Sequence, residues 1–331
     1  MAASLSLGIQ ACVIGLDYSG QKSDVKLVCR ELEALGHQAR SVFRKPLTRT
    51  MRVAAKLGLH SLLASRADLN VFIQQPERYW IPLARRNVVI PNQDWMTDHG
   101  AALLHRMDEV WCKTRYAMDI FGKRGLPCRY IGFSSPVPEE QLDLSARDWH
   151  SFLHVAGSSL AKGTQQLLEI WALHPEWPRL TVLAQHPSLH ALCTGAANVV
   201  LHAERIGPEQ LRRLRMCCGV AIQPSETEGY GHVVSEAMAA HQVVVTCDAP
   251  PMNELVSAGE GFLLKARRHS TQYWSDLFRF EAADLQKTVR LVLSTPPSEL
   301  AALGHAARAV FESREEQFRL NLKMAMQAMS A

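Results

Sequence analysis

Short apolar runs closed by turn residues recur along this chain, and stretches of helical period separate them. In the first half the runs are Gln10–Leu16, Leu69–Ile73, Asn87–Ile90, Glu109–Cys112 and Arg129–Phe133. In the second half they are Ser151–Ala156, Leu180–Ala184, Asn198–His202, Gly219–Gln223, Gln242–Thr246 and Gly261–Leu264. Asp24–Leu35 and Thr164–Leu173 read as helices between them; in the latter, Leu167, Leu168 and Trp171 share one face of a 3.6-residue period. Alternation of this kind predicts α/β architecture with parallel sheets.

The pattern breaks once, over Ser134–His150, where Ser, Pro and charge cluster without apolar periodicity. A linker there gives two doubly wound, Rossmann-like domains, residues 1–147 and 148–311. A C-terminal helix over 312–331, with no strand after it, is expected to pack back toward the first domain. Open parallel sheets bind ligands outside the carboxyl ends of their strands. Two such domains would therefore face a central cleft.

With 47% hydrophobic and 21% charged residues in 331, disordered, collagen-like and disulfide-scaffold classes are excluded. The net charge of +4 is too slight for a nucleic-acid binder. It suits a compact anion bound at one site and is compatible with peripheral membrane contact. The eight cysteines form no C-x-x-C pair and several sit in apolar runs, which reads as reduced structural thiols. No apolar run approaches the roughly 18 residues of a membrane span, and Met1–Leu16 lacks a basic segment and a cleavage site. The expected location is the cytoplasm, including the inner face of a membrane.

The sharpest local signal is Pro224-Ser225-Glu226-Thr227-Glu228-Gly229-Tyr230-Gly231-His232, between a strand and the helix-forming Val233–Ala240. Two glycines around one aromatic let a backbone approach a ligand closely. The first-turn N–H groups of the helix then offer the positive end of its dipole. Glu228 in the loop and Glu236, read as two turns into the helix, are carboxylates suited to pairs of sugar hydroxyls. An ordinary strand–turn–helix with solvated glutamates fits the same composition. A second junction, Gly157-Ser158-Ser159-Leu160-Ala161-Lys162-Gly163-Thr164, sets small residues and a lysine before a helix. It makes an anion cradle, or a surface lysine beside a helix cap; it is not a P-loop. Two anion-facing helix starts in one domain favour a diphosphate.

On these residues, His154–Leu264 resembles the carboxyl-terminal domain of the family 4 retaining glycosyltransferases of GT-B fold. The matching features are Lys162-Gly163, Pro224-Ser225, Glu228-Gly229-Tyr230-Gly231, the E-x7-E spacing of Glu228 and Glu236, Glu236-Ala237-Met238-Ala239, Pro251–Glu254 and Gly259–Leu264. The resemblance implies a GT-B architecture. It implies that Lys162 holds the donor diphosphate, Glu236 the ribose hydroxyls and Glu228 the donor sugar. Lys162 and Glu228 are then the catalytic pair, and Ser158, Ser159, Gly163, Gly229, Tyr230, Gly231, His232 and Glu236 bind the donor. Two departures stand out. The family's arginine after the loop-opening glycine is replaced by Ser158, in a loop one residue shorter, with Arg205, Arg212 and Arg213 available to replace its charge. His232 stands where an aliphatic residue is usual, as a ligand-side donor or a helix cap.

The first half resembles the family much less. Gly15–Gly20 suits a cleft-edge loop, and Gln74–Trp80 and Pro91–Trp95 follow strands with groups able to bind a sugar. The acceptor-side candidates are Gly20, Asn92, Asp94, Trp95 and Lys113, with Trp95 equally suited to the core. His99 and His105 are expected at surface or helix positions. The implied activity is transfer of a sugar from a nucleotide-diphosphate-sugar to a glycan, lipid or small-molecule hydroxyl, with retention of configuration. No metal is expected, since no D-x-D occurs, and no cofactor beyond the nucleotide-sugar co-substrate. A GT-B sugar-nucleotide epimerase would use the same site. So would a non-catalytic GT-B-like protein binding a nucleotide sugar or glycan, a reading that Ser158 keeps open.

Overall fold

The computed structural model describes residues 8–17, 19–44, 67–136 and 143–330. Tyr18 of the Gly15–Gly20 loop and residues 137–142 of the Ser134–His150 stretch lie outside the described residues. The chain divides into two compact units, Met1–Pro136 with Glu316–Ala331, and Val137–Glu315.

The sheet of the first unit is wholly parallel. Its strands are β1 (Gln10–Leu16), β2 (Gln38–Arg44), β3 (Ala67–Gln74), β4 (Ala84–Pro91), β5 (Glu109–Cys112) and β6 (Cys128–Tyr130), in the order β2-β1-β3-β4-β5-β6. Ile14, Val71, Phe72, Val88 and Val89 are fully buried, as expected of strands covered on both faces. Helix α1 (Ser19–Ala34) follows β1, and α2 (Arg115–Gly122) follows β5, capped by the Thr114 hydroxyl, which accepts from Ala117 N–H.

The sheet of the second unit holds β7 (Asp148–Gly157), β8 (Leu180–Ala184), β9 (Val199–His202), β10 (Cys218–Gln223), β11 (Val243–Asp248), β12 (Gly261–Gln272) and β13 (Ser275–Phe280). Their order is β13-β12-β11-β10-β7-β8-β9, parallel except for the β12–β13 hairpin. The helices that matter to the site are α3 (Thr164–Ala172), α4 (Pro208–Cys217) and α5 (His232–Ala239), joined by α6 (Ala282–Ser294) and α7 (Pro297–Ser330). The face of α3 read from periodicity is the buried one: Leu167, Leu168 and Trp171 are fully covered, and Trp171 packs edge-on against Phe152 at 5.0 Å.

Several sequence expectations are corrected. Strands β2 and β13 were not expected, because Gln38–Arg44 and Ser275–Phe280 mix charges into their apolar pattern. Strand β12 runs to Gln272 instead of ending at Leu264; beyond Lys265 it leaves β11 and pairs with β13. Asp148, Trp149 and His150 belong to β7 instead of the linker. The last helix begins at Pro297, well before Glu312, because one buried stripe of Leu300, Ala307, Phe311, Phe318, Leu322 and Met326 continues through it. Its residues up to Glu315 count with the second unit and those from Glu316 with the first. In the first unit, Phe318 meets Phe133 at 5.1 Å and Arg319 donates to the buried Glu31 carboxylate at 3.0 Å. In the second, Arg308 donates to the Ala239 carbonyl at 2.7 Å and Arg314 to that of Glu254 at 2.9 Å.

Candidate active site

The strand order of the second unit reverses between β7 and β10: from β7 the chain winds outward through β8 and β9, and from β10 through β11 and β12. In an open parallel sheet that switch point opens a crevice at the carboxyl edge. The two segments that leave β7 and β10 there are the two motifs, Gly157–Gly163 leading into α3 and Pro224–Gly231 leading into α5.

The two loops are fastened to each other. Glu226 N–H donates to the Ala161 carbonyl at 2.8 Å. Gly163 takes φ +68° with its α-carbon against Pro224, so that a Cβ would lie 2.2 Å from the Pro224 carbonyl oxygen. Gly231 takes φ +108° and a Cβ there would meet Leu255 Cδ1 at 2.6 Å. Only glycine satisfies both conditions at either place. Lys162 Nζ then lies 2.5 Å from Glu228 Oε1, and the Ser225 hydroxyl donates to the same oxygen at 2.6 Å. Both charges are largely covered, at 16% and 8% side-chain exposure.

Beneath this pair sits His154, which sequence reasoning passed over because a lone histidine in an apolar strand gives no signal. It is fully buried, with Nδ1 2.7 Å from the Ile222 carbonyl and Nε2 2.8 Å from the Thr164 hydroxyl. A carbonyl can only accept, so Nδ1 carries the proton and Nε2 accepts from Thr164. Burial pushes its pKa down to about 4. The neutral ring thus ties β7, β10 and the first residue of α3 together.

Glu236 is the fifth residue of α5, one turn into the helix instead of two, because α5 begins only at His232. The first intrahelical bonds run from Val234 and Ser235 N–H to the Gly231 carbonyl, both at 3.0 Å, and leave the earlier donors at the mouth of the loop. Arg215, near the end of α4, donates to Glu236 Oε2. Of the arginines considered from sequence, Arg212 and Arg213 pair with Glu209 at 3.0 and 3.1 Å, and Arg205 is exposed. Arg215, instead of these three, reaches the Glu236 carboxylate; three arginines on a four-residue stretch of helix gave no means of choosing it from sequence.

The other donor-side candidates fall around these groups. Ser158 is exposed and Ser159 half-buried, while Gly229 is buried. The Tyr230 side chain is buried, its hydroxyl 3.4 Å from Ser235, so its backbone and not its ring borders the loop. His232 is half-buried and packs edge-on against Tyr230 at 5.3 Å. The β12–β13 hairpin, unforeseen from sequence, braces the same loop. Thr227 and Ser275 share a hydroxyl hydrogen bond of 2.7 Å, Phe278 N–H donates to the Glu226 carbonyl at 2.8 Å, and His269 and Arg279 face the Glu226 carboxylate at 3.2 and 3.6 Å.

In the first unit the order reverses between β1 and β3. Gln21 spans that point: its Oε1 accepts from Leu16 N–H at 2.7 Å and its Nε2 donates to Gln74 Oε1 at 2.5 Å, with Gln74 at φ +73°. Gly20, in the first turn of α1, is exposed beside it. Asn92, Asp94, Trp95 and Lys113 follow β4 and β5 instead. The Lys113 ammonium is buried against Asp24 Oδ2 (2.6 Å), Asn92 Oδ1 (2.9 Å) and the Phe133 ring (4.4 Å), so Lys113 and Asn92 are spent on the unit's own packing. Asp94 is buried too, whereas Trp95 is 48% exposed and stands outside the core. His99 and His105 are exposed on short helical turns.

Among the described residues, no group of three or more His, Cys, Asp or Glu side chains could hold a metal ion, and no helix is long and apolar enough to cross a membrane. The chain is similar over 96% of its length to 98% of a sucrose-phosphate synthase from Thermosynechococcus elongatus, with a TM-score of 0.72 and 14% identity. It is similar over 98% of its length to all of the Anabaena protein HepE, determined with UDP and glucose, with a TM-score of 0.64 and 15% identity. A glycosyltransferase from Rickettsia africae superposes with a TM-score of 0.69 at 13% identity, over 97% of this chain and 98% of its own. The fold is GT-B. Within it, residues 152–277 match the family model described as glycosyl transferases group 1, a segment that lies in the second unit and contains both motif loops. No curated protein sequence matches the chain.

Proposed function

We propose that this GT-B protein is a retaining glycosyltransferase of family 4 type, which moves a sugar from a nucleoside-diphosphate-sugar to a hydroxyl acceptor. The observation that carries the reading is the joining of two helix starts, Lys162 and Glu228 at the β7/β10 switch point. A diphosphate placed there meets the ammonium of Lys162 and the N-terminal donors of α3 and α5. Glu236 takes the ribose hydroxyls, and Glu228 a hydroxyl of the donor sugar. UDP and glucose in HepE, and the matched family segment, support this assignment.

In the proposed step the bond between the anomeric carbon and the diphosphate oxygen breaks, and the acceptor oxygen bonds to the same face of that carbon. The acceptor proton passes to the departing phosphate oxygen. The protein's work is charge stabilisation and positioning, without a strong protein base. The reaction is proposed to need no metal, and the protein to work in the cytoplasm or at the inner face of a membrane. Incubation with UDP-, GDP- and ADP-sugars and a panel of sugar and lipid acceptors tests the proposal. One donor should yield free nucleoside diphosphate and an α-linked product from an α-linked donor, undiminished by EDTA. A new sugar nucleotide without transfer would identify an epimerase, and an inverted product would overturn retention.

A further inference from the structure

Arg215 holds a motif carboxylate, and this inference deepens the donor-site reading and rests on it. Among the described residues, Glu236 is the side-chain partner of Arg215 and Arg215 that of Glu236; the side chains are 15% and 24% exposed. The contact uses Oε2 alone, which leaves Oε1 of Glu236 to accept from something else.

The two helices bearing this pair are locked at their ends by one buried guanidinium. Arg147 donates to the carbonyls of Arg215 (2.8 Å) and Met216 (2.9 Å) at the end of α4, and to those of Ala240 (2.7 Å) and His241 (2.6 Å) just past α5. A cation at two helix carboxyl ends is favourably placed with both dipoles. The backbone of Arg215 is therefore fixed relative to α5 before any ligand arrives. A lone glutamate on a helix surface must be ordered by whatever binds it, at an entropic cost. Glu236 is ordered already.

We propose that Arg215 is a positioning residue for the nucleoside end of the donor: it holds Oε2 of Glu236 so that Oε1 is presented to the ribose hydroxyls. The guanidinium acts through Glu236 and carries none of the diphosphate's charge.

Titration calorimetry of UDP, GDP and ADP, each with its 2′-deoxy and 3′-deoxy counterparts and with inorganic pyrophosphate, tests this on wild type, R215A, R215K, E236A and R215A/E236A. Wild type should prefer the ribonucleotide over a deoxy counterpart by roughly tenfold or more, the worth of a hydrogen bond to a charged group. In R215A most of that preference should vanish while pyrophosphate affinity stays unchanged. R215K should restore part of it, and R215A/E236A should match E236A. An R215A protein that keeps the wild-type preference, or binds the ribonucleotide more tightly than wild type, overturns the inference. Equal binding of ribo- and deoxynucleotides by wild type overturns it too and leaves the nucleotide site standing. Wild type that binds no nucleotide overturns the donor-site reading itself.

Discussion

Lys162 Nζ and Glu228 Oε1 lie 2.5 Å apart across two loops that leave adjacent strands, and the Ser225 hydroxyl donates to the same carboxylate oxygen at 2.6 Å. The pair is neutral as a whole, so a diphosphate bound as proposed would have to share the ammonium with Glu228 or take it over. Removing one charge of a covered ion pair leaves the other charge covered and uncompensated, whereas removing both leaves neither. Lys162→Met should lower stability by about 2–3 kcal/mol. The double variant Lys162→Met/Glu228→Gln should recover most of this and still show no transfer. Thermal unfolding beside a transferase assay separates the two effects; transfer by the double variant at the wild-type rate would remove the pair from the mechanism.

Gly163 and Gly157 both take positive φ, at +68° and +60°, but only Gly163 has a carbonyl 2.2 Å from where a Cβ would sit. Gly157→Ala should therefore cost about 1 kcal/mol, the penalty of a left-handed alanine. Gly163→Ala adds a clash that can be relieved only by parting the loops, and should cost over ~2 kcal/mol and abolish nucleotide binding. Chemical denaturation of the two variants makes the comparison. Equal costs would mean that the approach of the two loops is unimportant.

His154 is neutral in the folded protein with its pKa pushed down to about 4, below the 6.5 of a free imidazole. Between those values the unfolded chain binds a proton that the folded one refuses, so stability is full above about pH 6.5 and falls as the pH drops toward 4. The full loss is of order 3 kcal/mol. Denaturation across pH 4–7 should show this slope flattened in His154→Gln. NMR of the imidazole should report a proton on Nδ1 throughout that range. A ring that titrates near 6.5 in the native state would contradict the arrangement.

Gln10–Leu16, Glu109–Cys112 and Leu180–Ala184 are strands with the bounds their apolar runs define, since a buried parallel strand leaves an uninterrupted signature. The far half of β12 is largely exposed and pairs with β13, and β13 sets charged and half-buried residues between the buried Ser275 and Phe280, so neither leaves a continuous apolar run. The motif loops were legible as strand-to-helix junctions, because clustered glycines and small polar residues between an apolar run and a helix former stand out in a sequence. The contacts that brace these loops, Arg215 on Glu236 and His154 on Thr164, join residues 21 and 10 positions apart through packing, which no spacing rule encodes. Lys113 illustrates the converse: a strand-end lysine looks available until the buried Asp24, 89 residues away, is found against it.

That buried pair yields a last expectation. Asp24→Asn should destabilise the first unit by about 3 kcal/mol by leaving the buried Lys113 ammonium with neutral amides and the Phe133 ring and no carboxylate to compensate its charge. It should leave the affinity for nucleotide unchanged, which calorimetry alongside thermal unfolding can establish. Altered nucleotide affinity would assign Lys113 a part in the donor site.

The proposed function requires a nucleoside diphosphate to bind where the β7 and β10 loops meet. A thermal-shift titration with UDP, GDP and ADP, on wild type and on Lys162→Met/Glu228→Gln, addresses it directly. One nucleotide at about 100 times its Kd should stabilise wild type by about 2.7 kcal/mol and leave the double variant's midpoint unmoved. No shift with any of the three, or the same shift in both proteins, would contradict binding at this place.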